Sequence, residues 1–438
     1  MRKSVIFFSI AVVIILAFQV AAAQPQQPAT EERPGSVTNQ PVKNYSLPPE
    51  KYEKAISYSR AQYRLHFIGT AYSFLILLFI LSRRIAPAFR DWAEGVSRRR
   101  FIQALVFVPL LLLTFDIFKL PLDIYQHKLS RQYEMSVQSW GSWFWDWSKG
   151  ELIEFFIASI LAYVLYGVIR RSPRRWWLYF GVASLPILVF LLFISPILID
   201  PLFNKFEPLQ NTQALLVAEI EKVVNHAGLD IPPDRIFEMK ASEKVNAVDA
   251  YVTGFGASKR VVVWDTTIAK MSPSQTLFVV GHEMGHYVLG HTSKGIAFAG
   301  ALVILLLLLV HFAVNRTLSR KDRQWAIRSL IDWASLPALM LFFYLFLFLA
   351  EPAYNSFSRY QEHQADVYGL EVIHGIVPDS SSTAADAFQT LGEVDLADPA
   401  PDRFIKVWLY SHPPLGERLA FAREYDPWSK GQPAMFVK

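Results

Sequence analysis

Two histidines and a glutamate stand at 282, 286 and 283, in the run Gly281-His282-Glu283-Met284-Gly285-His286. Residues four apart on a helix share a face, so His282 and His286 project side by side, with Cβ atoms about 6 Å apart. That is close enough for both imidazoles to hold a single zinc ion. Glu283 then lies beside a water held at that ion and can take its proton, which is the chemistry of metal-assisted hydrolysis. Local signals favour the helix. Ser272 offers an N-cap, Pro273 fits the first turn, and the apolar run Leu277-Phe278-Val279-Val280 follows.

A further ligand is needed, and His291 is the nearest candidate. The metzincin pattern HExxHxxGxxH requires glycine at 289 and histidine at 292, where Leu289 and Thr292 stand. Here the glycine and the histidine come one residue early, which on a continuous helix turns the side chain by about 100°. His291 is therefore read as solvated, or as a neighbour of a ligand. Glu362 and Asp366 are better placed. They are four residues apart on one expected helical face, one carboxylate to ligate zinc and the other to orient a ligand histidine through its second ring nitrogen. A solvated acidic pair is the bland alternative. Topology argues against it, because two apolar spans separate His286 from Glu362 and return both motifs to one side of a membrane.

The elements that must position these residues are membrane helices. The chain has 438 residues, 52% of them hydrophobic, and a mean hydropathy of +0.24, too apolar for an ordinary soluble protein of that length. Seven runs approach the roughly 20 residues that cross a bilayer. The first covers residues 4–23, with 1–23 read as a signal peptide or a first transmembrane helix. Residues 24–48 form a linker that is Pro-, Gln- and Glu-rich over 24–41, too poor in apolar groups to pack. Further spans begin near His66, Phe101, Leu152 and Trp176, and two more cover 296–314 and 330–350. The polar stretch 200–294 lies between. With no cysteine in the chain, any metal must use His, Asp or Glu. The net charge of +5 is gathered in short arginine clusters, so no nucleic-acid partner is expected.

Those clusters report orientation, since Lys and Arg near span ends stay cytoplasmic. Arg83-Arg84 with Arg98-Arg99-Arg100, Arg170-Arg171 with Arg174-Arg175, and Arg316 with Arg320, Lys321 and Arg323 all fall on one side if the spans alternate. The HExxH segment and the C-terminal region then face outward, in a plasma or inner membrane. Trp140, Trp143, Trp145 and Trp147 read as an interfacial aromatic belt, with a substrate-contacting lid as the alternative. Asp116 and Lys119 lie in a span, where unpaired charges facing lipid are costly, and are expected to pair with each other or to line a wet interior.

HExxH followed by Ser358-Arg359, Glu362 and Ala365-Asp366 resembles the type I CAAX prenyl proteases, multispanning zinc metallopeptidases of the gluzincin kind. Pro49-Glu50-Lys51-Tyr52-Glu53-Lys54-Ala55, Leu120-Pro121-Leu122-Asp123-Ile124-Tyr125 with Trp147-Ser148-Lys149, and Asp200-Pro201-Leu202-Phe203-Asn204-Lys205-Phe206 are similar to the family's upstream stretches. Ser411-His412-Pro413-Pro414-Leu415-Gly416-Glu417-Arg418 is similar to its SHPPxxER. The resemblance implies a mainly α, polytopic fold of about seven transmembrane helices around a water-filled chamber, with a metalloprotease domain carrying a small β-hairpin or sheet. On this reading residues 49–200 form the N-terminal transmembrane domain, and 201–438 form the zinc metallopeptidase domain with the last two spans. The resemblance also implies that His282, His286 and Glu362 bind one zinc ion, that Glu283 activates water, that Asp366 supports a ligand, and that His412 stabilises the developing oxyanion. Capping ahead of Pro413-Pro414 is the plainer reading of His412.

Two departures from the family pattern matter. Where the family shows NAYxxG on its substrate-aligning strand, this chain has Asp249-Ala250-Tyr251-Val252-Thr253-Gly254, with Asn246 three residues earlier. An ionised carboxylate accepts hydrogen bonds but donates none, so either Asp249 is protonated and contacts substrate, or Asn246 does, or binding differs. Gly254 and Gly256 lead into Val261-Val262-Val263 and read as a hairpin turn, not a nucleotide loop. The second departure is the outward face, since family members of the endoplasmic reticulum work toward the cytosol. The partners expected are a lipid bilayer and a protein or peptide substrate, prenylated or not. A general membrane endopeptidase acting on exported or damaged proteins is the alternative to CAAX processing, and a non-catalytic scaffold the rival class.

Overall fold

A computed structural model of the chain describes residues 45–254 and 259–437. The first apolar run and most of the linker lie outside the described residues. Helices dominate: α1 (Pro49–Ser82), α2 (Ile85–Val96), α3 (Arg100–Gln132), α4 (Trp140–Arg171) and α5 (Trp176–Ile194), the last continued by a π turn to Phe203. Then come β1 (Phe206–Pro208), α6 (Ala214–His226), β2 (Ile236–Met239), β3 (Ala250–Thr253), β4 (Arg260–Trp264) and α7 (Asp265–Lys270). The chain ends with α8 (Pro273–Val288), α9 (His291–Trp325), α10 (Leu336–Val372), α11 (Ser380–Asp395), α12 (Arg403–Leu409) and α13 (Leu415–Glu424). Among the described residues six helices are long and apolar enough to cross a membrane: α1, α3, α4, α5, α9 and α10. These correspond to six of the seven expected spans.

The helices exceed the apolar runs that announce them. The run 330–350 becomes α10, which continues without a break to Val372 and carries Glu362 and Asp366. Span and ligand-bearing segment are thus one rod. Its membrane half packs with α3, α4 and α9 through Phe107, Phe115, Tyr166, Trp333 and Leu339. Its far half joins a second core, where Tyr368 and Leu370 meet Phe278 and Met284 of α8, Phe388 of α11 and Leu419 of α13.

The second core is roofed by a four-stranded sheet of order β1-β2-β4-β3. β2 and β4 pair in parallel, and β3 and β4 form the expected antiparallel hairpin, with Thr253 opposite Arg260. β3 is the outer strand beside α8. Val261 and Val263 face the second core from β4 while Val262, on the other face, is buried against Met239 and Ala247, as alternation along a strand requires.

Arginines tie the opposite end of the bundle together. Arg84 Nε donates to the Gln324 carbonyl at 3.0 Å, and Arg90 Nη1 to buried Asp332 at 2.7 Å. Arg328 forks onto Glu94. Lys119 pairs with Asp123 at 2.6 Å, not with Asp116. The pair forms where desolvation costs less, since the Asp123 side chain keeps 17% exposure while Asp116 is 2% exposed. The tryptophan belt also needs amending. Trp143 is buried and stacks on His127 at 5.1 Å, so it belongs to the interior, whereas Trp145 is exposed.

Candidate metal centre

The helix carrying His282 starts as its sequence dictates: Ser272 accepts from the Gln275 amide while the Gln275 side chain accepts from the Ser272 amide, a reciprocal N-terminal cap. Small residues then let α8 lie against α10. A Cβ on Gly369 would stand 3.1 Å from the His282 backbone nitrogen, and one on Gly285 would stand 2.9 Å from Tyr368 Cβ. This close approach sets His282 and His286 opposite Glu362.

His282 Nε2 and His286 Nε2 are 3.2 Å apart. Glu362 places Oε2 3.3 Å from the first and Oε1 3.6 Å from the second. A tetrahedral zinc ion with bonds of about 2.0–2.1 Å requires ligand atoms about 3.3–3.4 Å apart; the His282–His286 and His282–Glu362 Oε2 separations come within 0.2 Å of that, and the other Glu362 oxygen faces His286 at 3.6 Å. Glu362 is 1% exposed and its Oε2 accepts no hydrogen bond among the described residues. Such an orphaned buried oxygen suits a cation. Among the described residues this is the one group of three such side chains with ligand atoms within 4.8 Å of one another, so the donors fit a metal ion.

Around the ligands the histidines are held by their second nitrogens. Asp366 Oδ1 lies 2.9 Å from His282 Nδ1. Arg418 of α13 grips Asp366 from behind, Nη2 to Oδ1 at 2.5 Å and Nε to Oδ2 at 2.9 Å, with its guanidinium 4.4 Å above the Phe388 ring. Arg418 closes the Ser411–Arg418 segment that resembles the family motif, and nothing in the sequence assigns it a part in the site.

Glu283 stands beside the triplet, Oε1 3.9 Å from His282 Nε2. Burial pushes its carboxyl above the ordinary value, against the pull of His286 and His282. His412 comes from the loop between α12 and α13, with Nε2 3.2 Å from Glu362 Oε2 and 34% of its side chain exposed. It caps no helix, since the helix that follows starts from Pro414 with no side-chain cap. Burial pushes its pKa down to about 4, against the pull of Glu362. Ser411 Oγ lies 2.9 Å from its Nδ1.

Asp249 is placed differently. It opens the edge strand, where its Oδ1 accepts from the Ala250 amide at 2.8 Å. The Asn246 side chain donates to the Glu134 carbonyl at 3.0 Å, which occupies one of its donors. His291 is fully buried, not solvated. Gly290 adopts a left-handed φ of 67° between α8 and α9, so His291 opens a new helix, and a single-helix rotation argument does not describe it.

The chain is similar to known proteins along most of its length. The model of peptidase family M48 matches residues 210–426, and that of the CAAX prenyl protease N-terminal region, five membrane helices, matches residues 36–205. An uncharacterised metalloprotease of Bacillus subtilis, YhfN, is 35% identical over 86% of this chain and 87% of its own length. CAAX prenyl protease 1 of Saccharomyces cerevisiae is 25% identical over 86% and 87%, and the human homologue 27% over 84% and 85%. The crystal structure of S. mikatae Ste24p superposes with a TM-score of 0.74 at 22% identity, over 96% of this chain and 98% of that one. The fold and the site together define a multi-pass membrane metallopeptidase. The chain belongs to peptidase family M48, with the N-terminal region of the CAAX prenyl proteases.

Proposed function

We propose that the chain is a zinc endopeptidase working on the extracytoplasmic side of its membrane, on protein or peptide substrates that need no prenyl group. One zinc ion held by His282, His286 and Glu362 would supply Lewis acidity to the attacking water and the scissile carbonyl. Glu283 takes the proton of the attacking water and returns it to the departing amine. His412 donates from Nε2 to the developing oxyanion, and the Ser411 hydroxyl, donating to Nδ1, keeps the ring hydrogen on Nε2. Asp366 holds His282 so that Nε2 faces the ion. The edge strand β3 offers backbone to an extended substrate, with Asp249 at its start to contact that chain.

The observation that carries the outward face is distance along α10. Its first residue, Leu336, adjoins the arginine-tied end, and Glu362 lies 26 residues on. At 1.5 Å per residue that is about 39 Å, more than the roughly 30 Å hydrocarbon slab. That length favours placing the arginine end and the metal centre on opposite sides, with the arginines kept cytoplasmic. The names of the relatives keep prenyl-protein processing as the second reading.

Because the chain has no cysteine, single cysteines report sidedness cleanly. In sealed right-side-out vesicles, Ser429→Cys near the metal end is expected to react with an impermeant maleimide, and Ser319→Cys near the arginine end only after permeabilisation. The reverse pattern would place the catalytic face in the cytosol.

A further inference from the structure

His291 packs against the ligand set without belonging to it or to the catalytic steps, and its contacts give it a definite part. Its Nδ1 lies 3.0 Å from His286 Nδ1. Its Nε2 lies 3.3 Å from Gln364 Oε1. The Gln364 amide nitrogen donates to Tyr360 Oη at 3.4 Å, and the Gln361 side chain donates to the His291 carbonyl at 3.2 Å. With the Gln364 amide oriented as the structure places it, one run of donors satisfies these contacts. Gln364 Oε1 accepts, so His291 Nε2 carries the hydrogen. His291 Nδ1 is then an acceptor, and His286 Nδ1 donates to it. That leaves the lone pair of His286 on Nε2, the nitrogen facing His282 and Glu362.

We infer that His291 is the positioning residue of the second metal-ligating histidine, doing for His286 with a neutral ring nitrogen what Asp366 does for His282 with a carboxylate. The backbone is built for it. Gly290 turns left-handed where a Cβ would meet nothing within 4 Å, so the requirement there is the turn and not the space. That turn swings His291 back over His286, five residues earlier, which a continuous α8 would carry it away from. α10 supplies both sides of the arrangement: Glu362 and Asp366 to the ligands, Gln361 and Gln364 to His291.

This inference rests on the zinc-site reading and deepens it. A stretch of paired variants separates a positioning role from simple space-filling. Asparagine at 291 places an acceptor oxygen where His291 Nδ1 stands, whereas glutamine reaches toward Gln364 and leaves His286 without an acceptor. Zinc affinity of the full-length, detergent-solubilised protein is measured by chelator competition for wild type, His291→Asn, His291→Gln and His291→Ala, with kcat and KM taken at saturating zinc. We expect His291→Asn to stay within about threefold of wild type. His291→Gln and His291→Ala should lose about 10- to 100-fold in zinc affinity, the usual effect of removing the partner of a ligating histidine, with KM unchanged. Equal loss in all three variants, or better retention by His291→Gln than by His291→Asn, would overturn the assignment. Failure of the wild-type protein itself to bind zinc would instead sink the metal-site reading beneath it.

Discussion

Glu283→Gln is expected to lower kcat by about 10²- to 10⁴-fold, the usual worth of a positioned general base, while zinc stays bound at the wild-type level. The two effects separate because Glu283 is no member of the ligand triplet, yet its Oε1 is 3.9 Å from His282 Nε2. Glutamine has the same shape and cannot accept the proton of water. KM should hardly move, since the amide still fills the same place. Elemental analysis and steady-state kinetics on the same preparation decide it, and a variant as fast as wild type would refute the role given to Glu283.

Arg418→Met carries the largest expected structural cost. Asp366 is 1% exposed and receives the Arg418 fork. Without it a buried carboxylate loses its counter-charge at a cost of about 3–5 kcal/mol. The melting temperature in detergent should fall sharply. Arg418→Lys should rescue poorly, because one ammonium cannot reproduce two parallel hydrogen bonds. Adding Asp366→Leu to Arg418→Met removes the orphaned charge and should restore much of the thermal stability. Zinc affinity should remain about 10- to 100-fold low in the double variant, since His282 has then lost its partner. Thermal melting and chelator competition check the two halves. Full recovery of both in the double variant would show that the pair only fills space.

The sequence was most legible where chemistry and periodicity coincide. Four-residue spacing put His282 with His286 and Glu362 with Asp366 on helical faces, and hydropathy located the spans that bring the two pairs to one side. It was least legible where side chains from distant segments choose among partners. Lys119 has carboxylates at both three residues before and four after it, and only the exposure of Asp123 selects the second. Trp143 looks like an interfacial residue until His127 supplies a stacking partner from α3. For His291 the spacing left open solvation or a place beside a ligand; the turn at Gly290, with φ of 67°, selects the second by bringing its Nδ1 to 3.0 Å from His286. Arg418 lay in a recognised motif, yet nothing local shows that its partner is Asp366, 52 residues earlier.

The measurement that tests the central claim most directly is mass spectrometry of products from the solubilised protein, with Glu283→Gln as control. The substrates are matched peptides with and without a farnesyl group. The account predicts cleavage of both peptides at comparable rates by the wild-type protein and of neither by the variant. Cleavage of the farnesylated peptide alone would contradict it, making the chain a prenyl protease and undoing the outward orientation argued from the arginines.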